Sequence, residues 1–344
     1  FTLDMPLTDL SSLAADEQQA SVQKILASEG QRLFDLAEGP LIAAQILKLA
    51  DRKHLLVFTA QMIACDGWSH YVVFEELSEI YSAIRESRNP ELRDVVPMRD
   101  YARWQQEYWQ TAQAKECEDY WRGQFDTVPA PLDLPTIGPR PLARTVNADR
   151  VDVLLSPEFY DQIKGFGRAQ KSSSFAVLLA AFQVWLHRLS GARDLVVGVP
   201  FSAQSTLGFD TLVGQCANTL PIRAQLQPEQ SFDELLAKTW DKLLDAQEHT
   251  HYTFGRLIQH LDIPLVSVIF NIDPAMSKVK FSGLKHRFFA APRFYYQFDL
   301  GFNLVEEQYG LRVECDFNTN LFDRQIVQRW LFGYEALLRA IVQN

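Results

Sequence analysis

Closely spaced cysteines, blocks of positive charge, long apolar runs and short internal repeats are all missing from this 344-residue sequence. No cluster of Lys or Arg stands out and the formal net charge is −10. The electrostatic footprint of a nucleic-acid-binding protein is therefore absent, and an acidic surface is no asset on an anionic membrane. Cys65, Cys117, Cys216 and Cys315 lie far apart and form no CxxC pair. That argues against a structural zinc site and for reduced thiols in a cytoplasmic setting. No apolar run is long enough to span a bilayer. The first residues, FTLDMPLTDL, lack the charged and apolar regions of a signal peptide, and they lack an initiator methionine. The chain is expected to be cut from something longer. What remains is globular in composition, 47% hydrophobic and 22% charged, with enough length for one large or two medium domains.

One stretch organises the rest. His54 to Phe58 reads as a buried strand, Asp66-Gly67 as a turn in which Gly takes a positive φ, and Trp68-Ser69 as the start of an amphipathic helix. A strand that hands over to a helix presents its last residues at a rim, where active sites often lie. Gln61, Met62, Cys65 and Asp66 are the residues placed there.

Around that stretch the pattern predicts the following elements. Residues 1–16 read as an edge strand and turn, and Glu17 to Leu36 as a helix stopped by Gly39-Pro40. Leu41 to Lys48 and His54 to Gln61 form a hairpin, and Ser69 to Arg85 a helix whose buried stripe is Val72, Val73, Leu77, Ile80 and Tyr81. Met98 to Phe125 is helical and rich in Trp and Tyr. Five prolines between Pro129 and Pro141 mark a linker, about 128–148, since Pro breaks both helix and ladder. After it come a strand at Val151–Leu155, helices at Pro157–Gln170 and Ser174–Leu189, a buried strand at Leu195–Val199 and a loop from Phe201 to Gly214. A helix follows at Phe232–Gln247, then strands at Val266–Ile272, Asp299–Val305 and Leu311–Asn318, and a last helix from Asp323 to Val342. The result is an α/β chain of mixed strands against helices, divided into residues 1–141 and 149–344.

Several stretches, in order, carry a resemblance: FDLAEGPL at 34–41, CDGWS at 65–69, MRDYARWQQEYW at 98–109, YWRGQF at 120–125 and LDLPTIGPRP at 132–141. SSFAVLLAAFQVWLHRLSG at 173–191, DLVVGVPFSAQ at 194–204, LVGQCANTLPIR at 212–223, EHTHYTFGRL at 248–257, PLVSVIFNIDP at 264–274, FDLGFNL at 298–304 and NLFD at 320–323 complete it. Together they resemble the condensation domains of non-ribosomal peptide synthetases, relatives of chloramphenicol acetyltransferase, and a subgroup common in hybrid polyketide–peptide assembly lines. The resemblance implies a two-lobed α/β sandwich with a tunnel between the lobes. Acyl or peptidyl carrier proteins of adjacent modules insert phosphopantetheine arms from both mouths, and an acceptor amine attacks a donor thioester. No bound cofactor or metal is implied.

Two departures from that pattern matter. The family signature is two histidines, three variable residues, then Asp-Gly. Asp66-Gly67 sets the register, so the histidine positions fall on Gln61 and Met62. A general base needs a lone pair that titrates near working pH. Met offers a weak thioether acceptor, and Gln can accept a hydrogen bond but not the proton. The N-terminal lobe also begins late, without the roughly hundred residues that usually hold its first strand and helix. The expectation is a module impaired in amide formation that serves as a structural or docking element. The alternative is an acyltransferase working by proximity. A third possibility is a separate chain pairing with a partner that supplies the absent strands.

The remaining candidates each have a bland counterpart. Met62 fits core or tunnel packing and Gln61 a satisfied polar residue. The resemblance implies a structural Asp66, bonded to an Arg and holding the loop. Cys65 would need a base to be a nucleophile, and packing explains it better. His70 is the nearest histidine and the one candidate for a substitute base. Glu248, His249 and His251 look superficially metal-like but lack a fourth ligand. Ser69, Gln204 and Asn218 border the implied tunnel, and either bind a pantetheine arm or brace the loops. Trp104, Trp109, Tyr120 and Trp121 read as core.

Overall fold

The computed structural model describes residues 2–202, 204, 207–261, 265–273, 276 and 279–343. Among them the strands form two sheets with helices, a mixed α/β arrangement. The smaller sheet has the order β1 (Leu7–Asp9), β2 (Ile42–Ala50), β3 (Lys53–Ala60), with β1 parallel and β3 antiparallel to β2. The hairpin read from the sequence is therefore present, joined at Asp51-Arg52. Its face packs on helix α1 (Ala15–Gly30) through Leu10, Leu26, Leu47 and Val57. His54 and Leu56 are exposed, so β3 alternates and is not the fully buried strand its apolar run suggested.

Helix α1 stops at Gly30, short of Leu36, and Leu33 and Leu36 are left 86% and 62% exposed. A Cβ on Gly30 would lie 2.8 Å from the Pro292 carbonyl and 2.9 Å from the Phe294 ring, so the helix end is pressed against that segment. Helix α2 (Gly67–Arg85) buries Ser69, Val72, Ser78, Ser82 and Ala83. Its buried face is small and polar as well as apolar, and Leu77 lies outside it. Ser82 Oγ accepts the Ser282 N–H at 3.0 Å, a close approach that a bulkier stripe would prevent.

Met98 to Phe125 is two helices, α3 (Met98–Tyr108) and α4 (Ala112–Gln124), because the Thr111 hydroxyl caps a new N-terminus by accepting from Ala114 N. The Pro-rich stretch has no regular structure, yet it is anchored to the larger sheet. Leu134 is buried, Ile137 N donates to Leu321 O at 2.9 Å, and Arg140 pairs with Asp299 at 2.8 Å.

The larger sheet comprises β4 (Ala148–Leu155), β5 (Asp194–Ser202), β6 (Ala217–Gln225), β7 (Val268–Ile272), β8 (Leu300–Glu307) and β9 (Gly310–Asn318), in the order β4-β9-β8-β7-β5-β6. Around it lie α5 (Pro157–Ala169), α6 (Ser174–Ser190), α7 (Phe232–Glu248), α8 (Phe254–Leu261) and α9 (Arg324–Gln343). Sequence reading missed β6 because of Pro221 at its centre. Pro lacks an N–H for a second ladder, and β6 tolerates it as the outermost strand, with Pro221 opposite Gly198.

Helix α6 is the core helix. Ser173 caps its start, Gly191 ends it at φ 73°, and every residue from Ala176 to Gln183 is buried. Phe182 packs on Phe302 with ring centroids 4.6 Å apart, and Trp185, Phe270 and Tyr334 close the cluster. Helix α4 contributes Cys117 and Trp121 to this same core, so the packing crosses the Pro-rich stretch. No helix of the described residues is long and apolar enough to cross a membrane.

Candidate functional site

Strand β3 ends at Ala60, and a short turn leads the chain into α2. Gln61 N donates to Leu41 O at 2.8 Å, while Ala64 N and Cys65 N return to Gln61 O at 2.9 and 3.1 Å. The turn is thus Gln61–Cys65, upstream of the Asp66-Gly67 pair. Asp66 is the N-cap of α2 and Gly67 its first residue. Gly67 has no positive φ and nothing within 4 Å of where a Cβ would stand, which corrects the expected glycine turn.

Asp66 is the hub, 2% exposed. Its Oδ1 accepts from Ser69 N at 2.9 Å and Ser69 Oγ at 2.7 Å. Its Oδ2 accepts from Cys216 N at 3.0 Å, Ala217 N at 3.1 Å and Gln204 Nε2 at 3.2 Å. The expected Arg is not there. The carboxylate is held by one helix terminus and by the backbone entering β6, which joins the β3–α2 junction of the small sheet to the β5–β6 connection of the large one. Two more bonds run alongside. Ser69 Oγ accepts from Gly214 N at 3.0 Å, and Trp68 Nε1 donates to Asp210 O at 2.9 Å.

The other candidates sort as follows. Met62 is 58% and Ile63 59% exposed, so Met62 stands on the turn and does not pack in a core. The Gln61 side chain is half-buried and makes no hydrogen bond to another protein group. Gln204 is fully buried, and its Oε1 accepts from Ser202 Oγ while its backbone carbonyl accepts from Phe209 N at 2.8 Å. Asn218 donates to Thr250 O at 2.8 Å and Tyr252 O at 3.0 Å, and accepts from Thr219 N and Phe254 N. Every hydrogen-bonding site of that amide is occupied, which is the geometry of a brace.

His70 Nδ1 lies 2.9 Å from Asp66 O and 3.6 Å from Cys65 Sγ, and the ring meets Phe58 edge-on at 5.7 Å. A carbonyl can only accept, so Nδ1 carries a proton, and the neutral tautomer that fits this contact has its lone pair on Nε2. His249 is held by Asp245 O at 2.7 Å and stacks on Tyr120 at 3.9 Å. His251 sits in an aromatic setting of Trp104 and Tyr108.

Burial pushes the Cys65 thiol up to about 12, and the Asp66 charge adds to it. Cys216 rises to about 12 for the same two reasons. Burial also raises Cys117 and Cys315. A thiol protonated at neutral pH is a poor nucleophile. Ellman's reagent at about pH 8 is therefore expected to leave the native thiols almost unreacted and to titrate all four once the chain is unfolded. Rapid labelling of the native protein would contradict that assignment.

The chain belongs to the Condensation domain family, matching it over residues 2–344. It is 31% identical to part of a linear gramicidin synthase of Brevibacillus parabrevis across 98% of its own length, and it spans 4% of that protein. Tyrocidine synthase 2 of the same organism is 30% identical over 99% of the chain, which covers 10% of that synthase. The first condensation domain of the calcium-dependent antibiotic synthetase superposes with a TM-score of 0.85 at 23% identity, over 98% of this chain and 75% of the solved one. That likeness establishes the shared fold.

Proposed function

We propose that this condensation domain is part of a non-ribosomal peptide or hybrid polyketide–peptide synthetase, is impaired in amide-bond formation, and serves as a structural or docking module for carrier proteins or neighbouring domains. One observation carries the reading. The turn ahead of Asp66 presents Gln61 and Met62 where the family pattern has two histidines, and neither side chain titrates near neutrality. The frame that would hold a catalytic group remains: Asp66 keeps its five donors and ties both sheets together.

Phosphopantetheine enters this picture on the partner carriers, as the arm that brings the substrate. Ser69, Gln204 and Asn218 act on it indirectly, by bracing the walls, since their polar atoms are committed to protein partners. Loss of acid–base help costs roughly 10²–10⁴-fold in rate.

A second reading is favoured by one feature. His70 Nε2 makes no hydrogen bond, so a displaced base acting on carrier-bound substrates could make an amide or ester. Both readings are tested by mixing the domain with loaded donor and acceptor carriers, following binding by anisotropy and product by mass spectrometry. Carrier binding with no product in the time a histidine-bearing relative completes a turnover is the expected result. Product on that timescale sinks the docking reading. Its loss in His70→Ala would establish the displaced base.

A further inference from the structure

We infer that the outer side of the loop at 280–289, together with the last turn of α2, is a docking surface for an acidic protein partner. Between Asp273 and Asp299 the sequence has no Asp or Glu, although the chain carries a formal charge of −10. Lys280, Lys285 and Arg287 stand in that stretch, and all three are exposed. Arg85, at the end of α2, joins them, since a Cβ on Gly283 would stand 3.2 Å from its Nη2. None of the four pairs with a carboxylate among the described residues. Glu79 and Glu86, on the same end of α2, are both engaged by Arg88. Arg293 is turned away to Asp316 and takes no part.

The loop holds these cations in place. Its inner side is fastened to α2: Phe281 meets Tyr81 edge-on at 5.7 Å, Phe288 meets Phe74 at 5.2 Å, and Ser282 N donates to Ser82 Oγ. His286 Nε2 lies 2.9 Å from the carbonyl of buried Val279, which closes the loop on itself. Gly283, at φ 68°, makes the turn and admits Arg85 without the strain a side chain would bring. With Phe288 turned to α2, its neighbours Arg287 and Phe289 face out, the guanidinium 5.6 Å from the ring. Apolar side chains stand among the charges: Ile84 is 72%, Leu284 45% and Phe289 52% exposed. An apolar patch rimmed by charge is the anatomy of a protein–protein contact. A nucleic acid or an anionic membrane would meet four cations here and the field of an acidic chain everywhere else. A folded partner with a few carboxylates around an apolar spot gains the local pairs alone. The inference deepens the docking reading above and rests on it, and no residue of the Gln61–Cys65 turn is involved.

The whole domain is titrated with a labelled amphipathic helix that carries Glu around a Leu stripe, read by anisotropy at low salt. Saturable binding is expected, at least about tenfold weaker for Lys285→Glu combined with Arg287→Glu. Leu284→Ser combined with Phe289→Ser is expected to weaken it as well, and Arg188→Glu, an exposed cation in the last turn of α6, to change it less than about twofold. The substituted side chains are exposed, so thermal melts are expected to stay close to that of the unmodified domain. No loss in the charge-reversed double variant, or an equal loss in Arg188→Glu, means diffuse attraction and overturns the proposal. Tighter binding to phosphatidylglycerol vesicles or to a DNA duplex than to the acidic helix overturns it too. The loaded carriers are the second probe. If they bind the charge-reversed variant as tightly as the unmodified domain, this surface is wrong and the docking reading stands. If the acidic helix binds as expected and the carriers do not bind at all, the surface is supported and the docking reading fails.

Discussion

Asp66→Asn is expected to destabilise the domain by about 3 kcal/mol or more, measured by urea unfolding. The two side chains are nearly the same shape, so the cost is electrostatic and directional. All five partners of Asp66 are donors: Ser69 N and Oγ, Gln204 Nε2, Cys216 N and Ala217 N. An Asn amide must set its NH₂ against some of them. Facing Oδ2's partners, it opposes three donors. Facing Oδ1's, it can satisfy the Ser69 hydroxyl by rotation but gives up the helix cap on Ser69 N, worth about 1 kcal/mol. The remaining bonds also lose the charge that strengthened them, from about 1.5–3 to about 0.5–1.5 kcal/mol each. Because Asp66 joins α2 to the entry of β6, its loss is also expected to speed proteolysis between the sheets. A stability change below about 0.5 kcal/mol, the range of ordinary surface substitutions, would show that the network is incidental.

Gln61→His combined with Met62→His is expected to raise amide formation roughly 100-fold or more when both carriers are loaded. The turn that carries these positions is held by backbone bonds, Gln61 N to Leu41 O and the amides of Ala64 and Cys65 to Gln61 O, none of which involves a side chain. Met62 is 58% exposed, so an imidazole there meets no overpacking and remains free to titrate. A folded double variant that binds both carriers and still forms no amide would place the defect elsewhere, in the walls or in the substrates offered.

Local signals carried much of the fold into the sequence. The β2–β3 hairpin and the Ser173-to-Gly191 helix were legible because their caps, turn residues and periodicity agree. Strand β6 was hidden by Pro221, whose penalty disappears only at a sheet edge, a fact of tertiary arrangement. Leu33 and Leu36 misled in the opposite direction, extending a helical pattern past Gly30 into a turn held by the Asp35 side chain. At the site, family resemblance marked Gln61, Met62 and Asp66 and the structural weight of Asp66. It did not reveal that backbone amides about 150 residues away replace the expected Arg. Nor could any pattern show that residues of α3, the entry to β6 and the segment leading into α8 line one cavity, since those positions meet only in the folded chain.

The central claim is that the catalytic frame survives without a titrating base on its turn. The rate of amide formation by the unmodified domain, from about pH 5.5 to 9 and against carriers alone, tests it most directly. The expected result is a rate at or barely above the carriers alone, rising only as the acceptor amine deprotonates, with no inflection near the imidazole range. A robust rate with an inflection near about pH 6.5, abolished in His70→Ala, would contradict it.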